Sequence, residues 1–80
     1  FGIFLANTDG GRIAGNTIDG AFFEAIPPDA DRLIRANAAA IYLTESKNVE
    51  VSGNRISNSG PDVKAPVLYG PGTMDCGPQK

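Results

Sequence analysis

Moved along by 38 residues, the chain falls on itself. Ile3 lands on Ile41, Leu5 on Leu43, Ile13 on Val51, Gly15-Asn16 on Gly53-Asn54 and Ile18 on Ile56, with Phe4 on Tyr42 and no gap between them. A repeat of this kind sets the architecture ahead of local preferences, because each copy is a unit that hides its apolar side against the next. Within each copy the apolar residues alternate with the period of a strand, two, and not with the 3.6 of a helix. Ile3 and Leu5 point one way and Phe4 the other; Ile41 and Leu43 do the same around Tyr42, and Val49 and Val51 around Glu50. A hairpin needs partners that run back, whereas these copies recur in one direction. Like strands therefore lie side by side in parallel.

The recurring pair Gly15-Asn16 and Gly53-Asn54 supplies the corners. A sharp bend between two inward residues such as Ile13 and Ile18 needs left-handed backbone angles, which cost Gly nothing and Asn least among the other residues. An Asn side chain carries both donor and acceptor, so asparagines placed one above another can hydrogen-bond along a stack. Gly-Asn also marks ordinary surface turns; its recurrence in the frame of the apolar matches favours the stacked corner.

The strings Gly2-Ile3-Phe4-Leu5, Arg12-Ile13-Ala14-Gly15-Asn16-Thr17-Ile18, Ala40-Ile41-Tyr42-Leu43 and Val49-Glu50-Val51-Ser52-Gly53-Asn54-Arg55-Ile56 resemble the rungs of the pectin lyase-like superfamily, over about half of the chain. The resemblance implies an all-β fold, a right-handed parallel β-helix of two to three rungs with one loop and short-helix insertion. A first rung of about residues 1–20 then holds strands near Gly2–Ala6 and Gly11–Ala14 and a third at Ile18; a second, about 40–60, repeats them at Ala40–Thr44, Asn48–Ser52 and Arg55–Ser57. Rungs in that superfamily take about two dozen residues, so the longer period places an insertion at about 21–39, where Pro27-Pro28 breaks any strand. There Asp29 is expected to cap a short helix through Arg35, with Leu33 and Ile34 turned inward and Phe22, Phe23 and Ile26 pinning the excursion. A partial third rung begins at Pro66-Val67-Leu68-Tyr69, with Leu68 above Tyr42; the remainder of 61–80, including Gly70-Pro71-Gly72 and Gly77-Pro78, reads as coil. With no cap in view and a strand pattern at its very start, the chain reads as a piece of a longer stack completed by further rungs of the same or another chain.

In function the resemblance implies a carbohydrate-active protein, a lyase, hydrolase or epimerase acting on a polysaccharide. The other outcome is a non-catalytic scaffold or carbohydrate-binding module of the kind found in phage tailspikes. An extracellular or periplasmic location goes with either. Polymer binds along the outer face of the first sheet in that superfamily, which singles out Phe4, Tyr42 and Thr44, then Glu45 and Lys47 on the flank. The aromatic column can stack on sugar rings or lie covered by the insertion bearing Phe22 and Phe23; both readings stand. Glycoside hydrolysis needs paired carboxyl groups, and the acids nearest the groove are Asp9, Glu45, Glu24, Asp29 and Asp31. None recurs as a pair: Asp9 aligns with Lys47, Asn7 with Glu45 and Asp19 with Ser57. Lyase chemistry wants a basic residue, for which Arg32, Arg35 and Lys47 qualify by location alone. The catalytic residues stay unassigned.

Composition narrows the field. The net charge of −2 and the scatter of the seven Lys and Arg leave no basic face for nucleic acid. The apolar run Ala38–Leu43 is far too short to span a membrane. With no His and with Cys76 alone, imidazole catalysis, an internal disulfide and a cysteine metal site are excluded within these residues. No cofactor is expected, although calcium remains open for a longer protein; Asp29-Ala30-Asp31 lacks the further oxygen ligands of a calcium loop and reads better as helix capping.

Overall fold

In the computed structural model, which describes residues 1–80, the alternating segments form short strands: β1 (Ile3–Ala6), β2 (Arg12–Ala14), β3 (Thr17–Asp19), β4 (Ala39–Thr44), β5 (Glu50–Ser52), β6 (Arg55–Ser57), β7 (Ala65–Tyr69) and β8 (Gly77–Pro78). One short helix, α1 (Arg32–Ala36), lies between β3 and β4. The chain is all-β in class, and its strands are parallel throughout. They form three sheets, ordered β1-β4-β7, β2-β5-β8 and β3-β6, so that each strand pairs with the one three places later. The register is that of the repeat: Ile3 faces Ile41, Ile13 faces Val51, and Ile18 faces Ile56. Val67 follows Ile41, and Leu68 stands beside Tyr42.

Equal register gathers equal side chains. Ile13, Ile41, Leu43, Val49, Val51 and Val67 form the buried core, with Ile3, Leu5, Ile18, Ile56, Tyr69 and Cys76 packed against it. Burying each large apolar side chain contributes about 1.5–3 kcal/mol. The middle layer carries most of this, since Ile41, Leu43 and Val51 are wholly inaccessible.

The corners repeat with the strands. Left-handed residues fall in columns: Asn7, Glu45 and Gly72; Gly10, Asn48 and Asp75; Gly15 and Gly53; Gly20 and Asn58. At Gly15 and Gly53, φ is 68° and 64°, angles that an L-residue adopts only at a cost of about 1–2 kcal/mol. Glu45 holds φ 50° without that freedom. Beside the Gly corner the asparagines stack as expected. Asn16 donates from its backbone N (3.0 Å) and its Nδ2 (2.9 Å) to Asn54 Oδ1. Asn54 Nδ2 donates to Ile13 O (3.0 Å) and to Gln79 Oε1 (2.9 Å). Gln79 thus extends the ladder into the third layer.

Four expectations need correction. Gly77-Pro78 is not coil but strand β8, paired with Glu50 and Val51. The helix cap is Asp31, not Asp29: Asp31 Oδ1 accepts from Leu33 N at 2.8 Å, while the segment before it turns through Ala30 N to Pro27 O. Leu33 does not face the core; it is 69% exposed. Phe23 is 71% exposed and pins nothing. Beside the edge-on packing of Phe22 on Phe1, polar and backbone contacts hold the excursion. Ile26 N donates to Asp62 Oδ2 at 2.8 Å, and Gly60 N to Ala21 O at 2.9 Å. Gly60 has no room for a Cβ, which would fall on the carbonyl of Phe22.

Candidate functional site

The outward side chains of β1, β4 and β7 form one column, Phe4–Tyr42–Leu68, by register. Tyr42 is buried, 7% exposed, because Phe1 stacks on it at 5.5 Å and 23° and Phe4 leans on it at 5.4 Å and 32°. Gly70 makes space on the other side, since a Cβ there would meet Tyr42 Cε1 and the hydroxyl oxygen at 2.7 Å. Phe22 reaches Phe1 edge-on at 5.4 Å, so the insertion touches the column only at its end. Phe4 keeps 56% of its surface in solvent and Phe1 keeps 37%. Tyr42 is thus covered, by Phe1 and Phe4 and not by the Phe22 and Phe23 of the insertion, while Phe4 is open.

Over this column lies a groove of about 590 Å³, walled by α1 and by Pro71. Phe1, Phe4, Tyr42, Leu33 and Ile34 make it largely apolar, and Asp31, Asn37 and Thr44 are its polar residues. The exposed Leu33 thus forms part of the groove wall. Thr44 Oγ1 donates to Pro71 O at 3.1 Å, Asn37 Nδ2 donates to Leu33 O at 3.0 Å, and Asp31 Oδ1 accepts from Leu33 N.

Glu45 and Lys47, expected beside Phe4 and Tyr42, line a different cleft of about 300 Å³ with Asn7, Thr8, Asp9 and Ser46. The left-handed backbone at Glu45 turns the chain out of the first sheet. Lys47 Nζ is 3.8 Å from Asp9 Oδ2, and Asn48 Nδ2 donates to Asp9 Oδ1 at 3.1 Å. The Asp9–Lys47 match seen in the sequence is thus an exposed ion pair across neighbouring layers. Ser46, 1% exposed, donates to Thr44 O at 2.9 Å and accepts from Thr8 N at 3.3 Å. Of the other acids and bases, Arg35 shares a third cleft, of about 540 Å³, with Lys64, Asp62 and Ile26.

On the second sheet Arg12 Nε lies 3.4 Å from Glu50 Oε2. A hydrogen bond from Ser52, then the charge of Arg12, lowers the Glu50 carboxyl below its ordinary value. Burial, with a smaller contribution from Cys76, raises the Tyr69 phenol, whose hydroxyl donates to Gln79 O. No group of three His, Cys, Asp or Glu stands together as a metal site, and no helix is long and apolar enough to cross a membrane.

Phe1, Leu33, Ile34, Asn37 and Pro71 were not singled out for a site in the sequence; Phe4, Tyr42 and Thr44 were, as was Asp31 among the acids nearest the groove, and these four line it. No protein-family model, curated protein or solved structure matches the chain.

Proposed function

We propose that the chain is a stretch of right-handed parallel β-helix whose outer first-sheet face binds polysaccharide for a carbohydrate-active protein. For the fold, support comes from parallel pairing of every strand with the strand three places later, and from the recurrence of corners and core residues in one register. For the ligand, the supporting observation is the open ring of Phe4 beside Phe1 over a groove floored by Tyr42. Aromatic faces present a large rigid apolar surface suited to the apolar faces of sugar rings. Further layers, from the same or another chain, would cover the half-buried Ile3, Leu5 and Ile18 at one end and Tyr69 and Cys76 at the other. An extracellular or periplasmic setting belongs to the same proposal.

Binding is favoured over chemistry within this groove. Hydrolysis of a glycosidic bond wants two carboxyl groups across it; the groove has Asp31 alone, with one oxygen committed to the helix cap. The scaffold or binding-module reading therefore stands ahead of the lyase, hydrolase or epimerase reading. The latter draws its support from the neighbouring cleft, where Asp9, Glu45 and Lys47 meet.

Nuclear magnetic resonance titration of the chain with oligosaccharides tests the proposal. Shifts of the Phe4 and Tyr42 ring signals are expected, and Phe4→Ala is expected to weaken binding at least tenfold. Saccharides that leave those rings unmoved would overturn the binding reading. Growth of ultraviolet absorbance from unsaturated uronates would favour the lyase instead.

A further inference from the structure

We infer that copies of this chain join end to end through the first sheet, β7 of one copy pairing in parallel with β1 of the next. The inference rests on the layered β-helix reading and names what covers two of its open edges. β1 and β7 are the outer strands of that sheet. An edge strand presents unpaired N–H and C=O groups to any strand of matching direction and length, and charged residues are a usual guard against such pairing. Neither β1 nor β7 carries a charged residue. Asn7 N donates inward to Thr44 O at 3.3 Å, and Gly70 N donates inward to Leu43 O at 2.7 Å. Amide directions alternate along a paired strand. Phe4 and Ala6 therefore turn their N–H groups out of β1, and Val67 and Tyr69 turn theirs out of β7. The donor that Pro66 lacks belongs to the inner edge, so the outer one is intact.

The register of the repeat fits these two edges together. One further step of the column Ile3–Ile41–Val67 sets the next copy's Ile3 beside Val67 and its Leu5 beside Tyr69. In that register Tyr69 N meets the next copy's Phe4 O, while Val67 O and Tyr69 O meet its Phe4 N and Ala6 N. Donors and acceptors are then in the phase that parallel pairing requires. Side chains match as well. Ile3, Leu5 and Tyr69 are half-buried, and the ring of Phe4, 56% exposed, gains Leu68 at its open flank. Charge does not oppose the contact: Asp9, Lys47 and Met74 form one column, so the next copy's Asp9 meets Met74 and no like charge. The second and third sheets add little, since Pro78 offers no outward donor at β8 and the third sheet ends at β6. A two-fold contact of β1 with β1 would run antiparallel and keep none of these columns. The parallel contact is head-to-tail and open-ended.

Sedimentation velocity over a range of concentrations, with amide exchange measured at each, tests the contact on the full chain. Mean mass is expected to rise with concentration past the dimer. The amides of Phe4, Ala6, Val67 and Tyr69 should slow only as the mass rises, whereas those of β4 are slow throughout. Met74→Glu, at a position 63% exposed beside its own Lys47, sets an acid against the next copy's Asp9. It should raise the dissociation constant about twofold to fivefold, the range for like charges on facing strands, and adding Asp9→Asn should restore it. A chain that stays monomeric at every concentration with β4 protected would overturn the copy contact and leave the layered reading standing. Association that stops at the dimer, or that ignores Met74→Glu, would overturn the head-to-tail register. Fast exchange along β4 would sink the layered reading, and this contact with it.

Discussion

Removing the amide of Asn54 tests whether the corner ladder holds the layers together or merely decorates them. The Asn54 side chain accepts from Asn16 N and Asn16 Nδ2 and donates to Ile13 O and Gln79 Oε1, all within 3.0 Å, at a residue only 8% exposed. A typical net contribution is about 1 kcal/mol per bond, and a buried partner left unsatisfied costs more. Asn16 is exposed and recovers part of its loss from water. Asn54→Ala should therefore cost about 3 kcal/mol. Asn16→Ala removes only the Nδ2 bond, since its backbone N remains, and should cost about 1 kcal/mol or less. Gln79→Ala sits between: Gln79 accepts from Asn54 N (3.0 Å) and Asn54 Nδ2 (2.9 Å) and donates to Asn54 O (2.7 Å), and about 2 kcal/mol is expected. Urea unfolding followed by circular dichroism ranks the three, with m held constant across them. An Asn16→Ala cost equal to that of Asn54→Ala would refute the ladder as a graded network. So would an Asn54→Ala cost below about 1 kcal/mol.

Gly60→Ala would drive a Cβ into the Phe22 carbonyl; a loss of about 2–3 kcal/mol is expected, with faster amide exchange at Ile26, whose N–H is tied to Asp62. Glu45→Asn places at φ 50° the residue type that already occupies the equivalent corner at Asn7, and should stabilise by about 0.5–1 kcal/mol, read as a rise in Tm. The folded Glu50 carboxyl titrates below its unfolded counterpart, so its contribution is present above the ordinary value of 4.5 and is lost as pH falls through the folded one; carbon-detected titration should show Ser52→Ala and Arg12→Ala each raising its midpoint. Tyr42→Ala removes a buried ring and should cost about 3–5 kcal/mol, whereas Phe4→Ala, at a position 56% exposed that still covers Tyr42, should cost about 1 kcal/mol while weakening saccharide binding.

The parallel pairing was legible because backbone hydrogen bonds between like strands force side chains of equal role to equal offsets. Ile3 and Ile41, or Ile13 and Val51, can be matched by eye for that reason. Strand β8 was hidden because Gly77-Pro78 has no apolar alternation and Pro78 has no N–H. Pairing there runs through the flanking donors, Gly77 N to Val49 O (3.1 Å) and Gln79 N to Val51 O (2.9 Å). Proline is tolerated in such an outer strand because no neighbour asks for its missing donor. The cap of α1 was misplaced by two residues because Asp29 and Asp31 are equally good caps on paper. The turn from Pro27 O to Ala30 N delays the helix, and Asp31 is the acid left at its start.

The site was legible where the repeat reaches it and at Asp31, one of the acids read as nearest the groove. Strand alternation puts Phe4, Tyr42 and Thr44 on one outer face, and all three line the groove. Glu45 and Lys47 follow in sequence but not in space, since a left-handed residue reverses the face on which the chain continues. The groove walls come from Leu33 and Ile34, residues of an insertion that obeys no period, and from Pro71 at the corner after β7. Register also explains why the two rings of the column differ. In a parallel stack each ring lies on the next, so an inner ring such as Tyr42 is covered by its neighbours and becomes part of the support. Phe4, paired on one side only, and Phe1 beside it keep the larger exposure.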